Sequence, residues 1–274
     1  MNNPKISVIM PFYNCASFLD DAISSIINQT FTDFEFIIIN DASTDNSDEI
    51  VQRYLNDSRI VYIKNKENKK ITHNLNKGLD LARAEIIARM DGDDVSEPER
   101  LREQYEYLMK NKDIVLVGSF ATLIDRVGKK IGRKVKPLDS GSIKRDIFAY
   151  SPFIHPSVMF QKKVIINLGK YDEKYSHCQD YDLWLRLIFS GNKVANLPNA
   201  LIRYRIYENS SSKRTKEIAR NDLKIRRSII KKYNLKISIK ELFFMYVHFF
   251  LAVVMSGRQK QKVESLYKKM FYEE

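Results

Sequence analysis

Phe34-Glu35-Phe36-Ile37-Ile38-Ile39 is the stretch that most narrows what this chain can fold into. It is rich in β-formers and too apolar to alternate inward and outward residues. It therefore predicts a strand covered on both faces, as in a parallel sheet with helices above and below. The run leads straight into an acidic turn, Asn40-Asp41-Ala42-Ser43-Thr44-Asp45-Asn46-Ser47. A second apolar run, Ile86-Ile87-Ala88 then Met90, ends the same way, in Asp91-Gly92-Asp93-Asp94. Ligands of open α/β sheets bind outside the carboxyl ends of strands, so the two turns mark one candidate site.

The first 95 residues supply the alternation that such a sheet needs. Strands are predicted over Lys5–Met10, ended by Pro11, and over Phe34–Ile39, Arg59–Lys64 and Glu85–Met90. Helical spacing falls between them at Ser17–Gln29, at Ser47–Asn56 (capped by Asp45 or Ser47) and at Asn74–Ala84. This order implies a doubly wound, mostly parallel, Rossmann-like α/β sheet. Beyond Asp94 the pattern loosens: a helix at Pro98–Lys110, strands at Ile114–Thr122 and His155–Phe160, a polar connection at Gly128–Ser142, and an amphipathic helix at Asp180–Phe189. A basic helix is predicted over Lys213–Tyr233, and Leu242–Met255 is nearly all apolar. That last run is shorter than the roughly 20 residues of a spanning helix, which leaves a core, dimer-contact or interfacial role open.

Three carboxylates in four residues repel one another, and they make sense together if a divalent cation sits among them. Mg²⁺ and Mn²⁺ take oxygen ligands, commonly one or two carboxylates plus substrate phosphate oxygens. The alternative is a solvated acidic turn, and the second acidic turn upstream counts against it. Neither G-x-G-x-x-G nor G-x-x-x-x-G-K-[ST] occurs, so neither a dinucleotide fingerprint nor a P-loop is available.

Six segments in order resemble the family 2 glycosyltransferases, inverting bacterial enzymes of the capsule and lipopolysaccharide type with the nucleotide-binding fold called GT-A. They are Ser7-Val8-Ile9-Met10-Pro11-Phe12-Tyr13-Asn14, Asn40 to Asp45, Leu75-Asn76-Lys77-Gly78-Leu79 with Ala88 to Asp94, Pro98-Glu99-Arg100-Leu101 with Gln104, His155-Pro156-Ser157-Val158-Met159, and Gln179 to Arg186. The resemblance covers roughly residues 4 to 212. It implies a GT-A catalytic domain over 1–212, with a nucleotide-sugar half at 1–95 and an acceptor half at 96–212, followed by a basic helical extension at 213–274.

It also implies roles. Pro11, Tyr13, Asn14, Asp41, Asn76, Arg89, Asp91, Gly92 and Asp94 are expected on the donor side. Asp41 would accept hydrogen bonds from base or ribose, unless it is an Asx-turn residue; Tyr13 would stack on the base, unless it is core. Asp93 is the expected Mn²⁺ or Mg²⁺ ligand, with Asp91 and His155 as further metal candidates. Asp180 is the expected general base, taking the proton of an acceptor hydroxyl, unless it only caps the helix that follows. Gln179, Asp182, Trp184 and Arg205 are expected on the acceptor side, Trp184 with packing as the alternative. Two residues depart from the family pattern: Gln179 stands where a glutamate is usual, and Tyr207 stands where Tyr-Arg-x-His would place histidine. Diphosphate or metal contact would then fall to Arg205, to His155, or to neither.

The 46 Lys+Arg and 34 Asp+Glu are unevenly placed. Residues 213–274 carry 16 basic and 6 acidic side chains, a net of +10, while the preceding 212 are nearly balanced at +2. Nucleic-acid binding predicts basic residues interleaved with aromatics over the main body, which the balance argues against. A nucleotidyltransferase would also use an α/β sheet and paired aspartates, but it wants a Gly-rich basic loop where Pro11-Phe12-Tyr13-Asn14 stands. The two cysteines, Cys15 and Cys178, suit a reducing compartment, and Met1-Asn2-Asn3-Pro4-Lys5 does not read as a signal peptide. The expectation is a metal-dependent enzyme using a UDP-linked or similar nucleotide-diphosphate sugar on a glycan or lipid-linked acceptor. It would be cytoplasmic and peripheral, its basic tail against the anionic inner face of the cell membrane.

Overall fold

The computed structural model describes residues 3–206 and 212–239, together with 241–243, 245–246 and 249. In chain order the elements are β1 (Ile6–Phe12), α1 (Leu19–Ile27), β2 (Phe34–Asn40), α2 (Ser47–Gln52), β3 (Ile60–Lys64), α3 (Lys70–Leu81) and β4 (Ile86–Arg89). There follow β5 (Val95–Ser96), α4 (Arg100–Lys110), β6 (Ile114–Ile124), β7 (Lys130–Lys134) and α5 (Ser140–Asp146). The last are β8 (Met159–Gln161), α6 (Lys162–Asn167), α7 (Gln179–Phe189), β9 (Lys193–Arg205) and α8 (Ser212–Lys232).

The strands form one sheet in the order β3-β2-β1-β4-β8-β6-β9-β5, with β7 paired to β6. It is parallel through β3, β2, β1 and β4, as the apolar runs predict. Beyond β4 it is mixed, because β8 enters antiparallel between β4 and β6 while β9 runs parallel to β6. Every residue of β1 and β2 is buried, so both faces of these strands are covered. On one side α1 contributes Leu19, Ala22, Ile23 and Ile26. α3 lies so close to the sheet that a Cβ on Gly78 would fall 2.4 Å from the Ile9 side chain, which only glycine permits.

Several boundaries differ from the sequence expectation, each for a physical reason. β1 continues through Pro11 to Phe12. Its partner β4 stops opposite Ile9, whose carbonyl takes the Met90 N–H, so the N–H that proline lacks faces no strand. α3 begins at Lys70, four residues earlier than its apolar spacing shows. Its first turn is satisfied from a distance, by the Asp41 carboxylate accepting from the N–H of Lys69 at 2.8 Å and of Lys70 at 2.9 Å. His155–Ser157 is a 3₁₀ turn rather than strand, closed by the Ser157 hydroxyl donating to the Ile154 carbonyl at 2.8 Å.

The connection at 128–142 contains β7 and the start of α5, whose first turn is capped by Asp139. Pro198-Asn199 interrupts the pattern of β9; its register with β6 jumps from Leu197 to Ala200, so a bulge absorbs both residues. β5 and α6 are likewise absent from the sequence pattern and appear only in the fold.

Two compact units divide the chain. One comprises Met1–Ile147 with Ser151–Tyr207, the other Phe148–Tyr150 with Glu208–Glu274. In the second, the predicted basic helix is present as α8. Its Arg226 is buried, pairs with Asp222 at 2.8 Å and donates to the Phe148 carbonyl. Most of Leu242–Met255, and Tyr207, lie outside the described residues. No helix among the described residues is long and apolar enough to cross a membrane.

A buried carboxylate ties the parallel strands together. Glu35 in β2, only 2% exposed, accepts from the Ser7 hydroxyl of β1 at 2.6 Å and from the Arg83 backbone and guanidinium at 2.7 Å each. Burial alone would raise its pKa; the Ser7 and Arg83 hydrogen bonds outweigh this and hold it below the ordinary glutamate value. Glu35→Gln is expected to cost about 1–3 kcal/mol in urea unfolding at pH 7. Because the folded-state pKa is depressed, the native carboxylate's contribution is fully present above its unfolded pKa and is lost as pH falls through the folded one. The variant should therefore show a flatter acid limb of stability than the native chain.

Candidate active site

The aspartate loop follows β4 and is pinned from three sides. Gly92 packs against β1, where an added Cβ would lie 2.9 Å from Phe12 Cβ. Asp94, 1% exposed, accepts the Arg205 backbone N–H at 2.8 Å through Oδ1. The Arg205 guanidinium, at the end of β9, donates to the Asp93 carbonyl at 2.8 Å and to the carbonyls of Asp125 and Arg126 at 3.1 and 3.0 Å. It also stacks over Phe18, 4.5 Å from the ring centre. From beneath, fully buried Arg100 donates to the Arg89 carbonyl at 2.6 Å and is oriented by Gln104 at 3.1 Å. Burial and neighbouring Arg89 push the Arg100 pKa down to about 9, so it remains charged at neutral pH.

This scaffold brings the side chains of Asp91, Asp93 and Asp94 together, with one carboxylate oxygen of each within 4.8 Å of the others. Buried Arg89 forms an ion pair with Asp91, while its Nε has no hydrogen-bond partner among the described residues. Burial raises the Asp91 pKa, Arg89 opposes this, and the charges of Asp93 and Asp180 raise it further. Burial, then Asp91 and Asp93, drive Asp94 well above the usual carboxylate range. Asp94 Oδ2 is buried without a hydrogen-bond partner among the described residues. A hard cation among these oxygens would meet that need, so the donor set fits Mg²⁺ or Mn²⁺.

Asp180, at the start of α7, faces the cluster from the other half of the sheet. Burial raises its pKa, partly opposed by the Tyr181 N–H, Arg89 and Lys134. His155 Nε2 lies 3.0 Å from the Tyr171 hydroxyl, and burial beside Arg89 keeps the imidazole well below its ordinary pKa and so neutral. Tyr171, not expected from sequence, and Tyr204, the tyrosine of the segment resembling Tyr-Arg-x-His, lie within reach of the same charges; burial raises both phenols, with Asp91 among the charges acting on each.

On the side expected to bind the donor, Asn14 joins the turns after β1 and β2. Its Oδ1 accepts the Thr44 N–H at 2.8 Å and its own N–H donates to Ser43 Oγ at 3.0 Å. This leaves Tyr13 47% exposed at the mouth. Asp41 is buried, and Asn65 donates to it at 2.9 Å. Burial would raise its pKa, but hydrogen bonds from Asn74, Lys69, Asn65 and Lys70 hold it below the ordinary aspartate value. Beside it an open cleft of about 530 Å³ is lined by Asn65, Lys66, Glu67, Lys69, His73 and Lys77.

Four expected site residues have structural duties in this geometry. Trp184 is 0% exposed and packs edge-on against His155 and Phe153, so its ring offers no acceptor platform. Asp182 is buried against Arg186 at 2.7 Å, and Arg186 in turn caps the carbonyls of Leu168 and Lys170. Asn76 ties α3 to the loop carrying Tyr171, accepting the Tyr171 N–H at 3.1 Å and donating to the Tyr171 carbonyl at 2.9 Å. Arg205 braces the aspartate loop instead of facing an acceptor. Gln179 is buried at the first turn of α7. Arg100 and Gln104, named in the sequence as part of the resemblance but without a role, share a buried face with Leu101 and Leu108 through their i, i+4 spacing and support the aspartate loop from there.

Residues 7–168 match the family model described as glycosyl transferase family 2. The uncharacterized glycosyltransferase MJ1057 of Methanocaldococcus jannaschii is 38% identical over 211 residues, covering 75% of this chain and 72% of its own length. The O-antigen biosynthesis glycosyltransferase WbnJ of Escherichia coli is 36% identical over 213 residues, covering 76% and 82%. Among solved structures, S. aureus TarS 1–349 in complex with UDP-GlcNAc superposes with a TM-score of 0.65 at 18% identity, over 91% of this chain and 81% of that one. The mannosyltransferase PcManGT from Pyrobaculum calidifontis, in complex with GDP-Man and Mn²⁺, gives 0.65 at 15% identity, over 98% and 81%. These likenesses show the GT-A fold.

Arg205 generates a test of the scaffold. Arg205→Ala removes donors from three backbone carbonyls and should lower unfolding stability by about 2–4 kcal/mol in urea titration. Arg205→Lys should recover only part of this, because one ammonium cannot span the Asp93 and Asp125 carbonyls at once.

Proposed function

This chain belongs to glycosyl transferase family 2 and is a glycosyltransferase; we propose that it works by inversion, moving a hexosyl or N-acetylhexosaminyl group from a UDP-linked donor to a hydroxyl of a glycan or lipid-linked acceptor. The observation that carries this reading is the cluster of Asp91, Asp93 and Asp94 at the end of β4, with Asp94 Oδ2 lacking a partner among the described residues and Asp180 close enough to perturb Asp91. The proposed setting is surface-polysaccharide synthesis on the inner face of the cell membrane, supported by the name of the O-antigen relative and by the basic helix α8.

Asp93 would hold the metal ion, with Asp91 and Asp94 completing or orienting its shell. A divalent ion there would neutralise the charge that develops on the departing diphosphate. Arg89 is fixed by Asp91 and offsets part of the loop's negative charge. On the donor side, exposed Tyr13 offers a flat face to a base, and the lysine-lined cleft beside Asp41 suits an anionic nucleotide. Asp41 itself is engaged by its own chain, so it would position the cleft's walls as well as meet the nucleotide. Asp180 would take the proton of the acceptor hydroxyl as that oxygen attacks the anomeric carbon from the face opposite the diphosphate. His155, neutral and bonded to Tyr171, would support the wall between metal and base rather than titrate near neutrality.

Chelation should abolish hydrolysis of a UDP-sugar in the absence of acceptor, and added Mn²⁺ or Mg²⁺ should restore it; Asp93→Asn should bind donor weakly even with metal present. Full turnover by Asp93→Asn without metal would refute the assignment.

Asp180→Asn should retain donor affinity and lose roughly 10²–10⁴ in kcat, the usual range for a general base. Only the deprotonated base accepts a proton, so kcat of the native enzyme should rise with pH through the raised Asp180 pKa. That limb should vanish in the variant; a lost donor affinity with normal turnover would instead make Asp180 a binding or capping residue.

A further inference from the structure

We propose that the β6–β7 hairpin is a membrane-docking element that lays the catalytic unit against anionic phospholipid headgroups. Residues 126–138 contain Arg126, Lys129, Lys130, Arg133, Lys134 and Lys136, and no Asp or Glu. The same ribbon carries Val127, Val135 and Ile131 at 87%, 61% and 54% exposure, more than any other large apolar side chain among described residues 3–206. Cations and bare aliphatic groups thus occur together on a few residues of one strand edge.

The hairpin is preorganised. Asp125 Oδ1 accepts the N–H groups of Val127 and Lys129 at 3.0 and 2.9 Å, and Gly128 takes a positive φ of 85°. The tip therefore holds Val127 outward with little conformational freedom left to lose on binding. Its base is joined to the candidate site: the Arg205 guanidinium that grips the Asp93 carbonyl also grips those of Asp125 and Arg126. At the other end of β7, Lys134 lies 4.7 Å over the Tyr204 ring. A surface seated on this ribbon would be presented next to the Asp91–Asp180 cluster.

An edge guard, a nucleic-acid site and a soluble-polyanion site each fit the ribbon less well. Lysines on an edge strand discourage edge-to-edge pairing, but exposed valine and isoleucine on the same strand invite it. Single-stranded nucleic acid wants aromatic platforms between the cations, and residues 126–138 hold none. A soluble polyanion would engage the charges and leave the aliphatic groups in water. An anionic bilayer surface satisfies both, with headgroups against exposed Arg126, Lys129 and Lys130 and the aliphatic side chains in the interfacial layer, while Arg133 and Lys136 hold the ribbon to the carbonyls of Pro198 and Ser151. The inference rests on the membrane setting proposed above for its purpose, but vesicle binding needs neither donor nor metal, so either can fail alone.

The test is co-sedimentation of the full chain with phosphatidylcholine vesicles, with and without phosphatidylglycerol. Three proteins are compared: native, Lys129→Glu/Lys130→Glu, and Val127→Ser/Ile131→Ser. All four side chains are exposed and outside the catalytic cluster, so donor hydrolysis should be unchanged. The native chain should pellet with the anionic vesicles, more weakly as salt rises. The charge pair should reduce partitioning about tenfold or more, and the apolar pair should reduce it a few-fold at every salt concentration. Native protein that ignores anionic vesicles overturns the proposal. So do variants that pellet like the native chain, which would assign the binding to residues 213–274. Variants that turn a dimer into a monomer on gel filtration, with vesicle binding unchanged, would make the ribbon a subunit contact instead.

Discussion

Repulsion among carboxylates is the constraint around which this structure is arranged. Asp91, Asp93, Asp94 and Asp180 converge in a region where burial already disfavours charge on Asp91, Asp94 and Asp180. Such a cluster persists only if the scaffold holds it and supplies positive charge nearby. Arg89 pairs with Asp91 directly, Arg100 supports the Arg89 carbonyl from the core, and Arg205 grips the loop from β9. The arginines lie in three different elements, so the loop's geometry depends on both halves of the sheet. Among the described residues, Asp94 Oδ2 remains without a partner after all of this. That residual need is what gives the cluster chemical meaning beyond an acidic turn.

The other end of the candidate site, at the turn after β2, is organised by a buried carboxylate with the reverse electrostatics. Asp41 is saturated with N–H donors from Lys69, Lys70 and Asn65, and these hold its pKa down despite burial. One residue thereby closes the β2 turn, starts α3 and shapes the lysine-lined cleft. The contrast between the two ends follows from hydrogen bonding: burial opposes charge at both, and only at Asp41 do the protein's own donors prevail. In the proposed transfer, the first end would receive a cation and the second an anionic nucleotide.

Arg205 also links the site to the outside. By holding Asp93, Asp125 and Arg126 together it makes the β6–β7 hairpin an extension of the aspartate loop. Under the proposed reaction on a lipid-linked acceptor, the base would have to lie close to the bilayer surface. A ribbon of cations and aliphatic groups anchored to the aspartate loop would arrange that directly.

The sequence by itself determined the parallel half of the sheet, the two acidic turns and the family. Phe34–Ile39 and Ile86–Met90 are local hydrophobic patterns, and such patterns report burial on both faces without any tertiary information. The grouping of Asp91, Asp93 and Asp94 was likewise legible, because three carboxylates in four residues after an apolar run are a local pattern, whereas Asp180 was named only through the family resemblance. Tertiary structure alone decided the rest. β7 and β9 were obscured by lysines and by Pro198, since a strand's identity there comes from its partner β6 rather than from its own composition. α3 starts early because Asp41, 28 residues upstream of Lys69, caps it. Trp184, Asp182 and Asn76 lie in motif-like segments, yet their side chains were assigned to packing, ion pairing and loop bracing by neighbours distant in the chain or one helical turn away. The reason is general: a motif specifies which groups are available, while the direction each points depends on contacts that only the folded chain supplies.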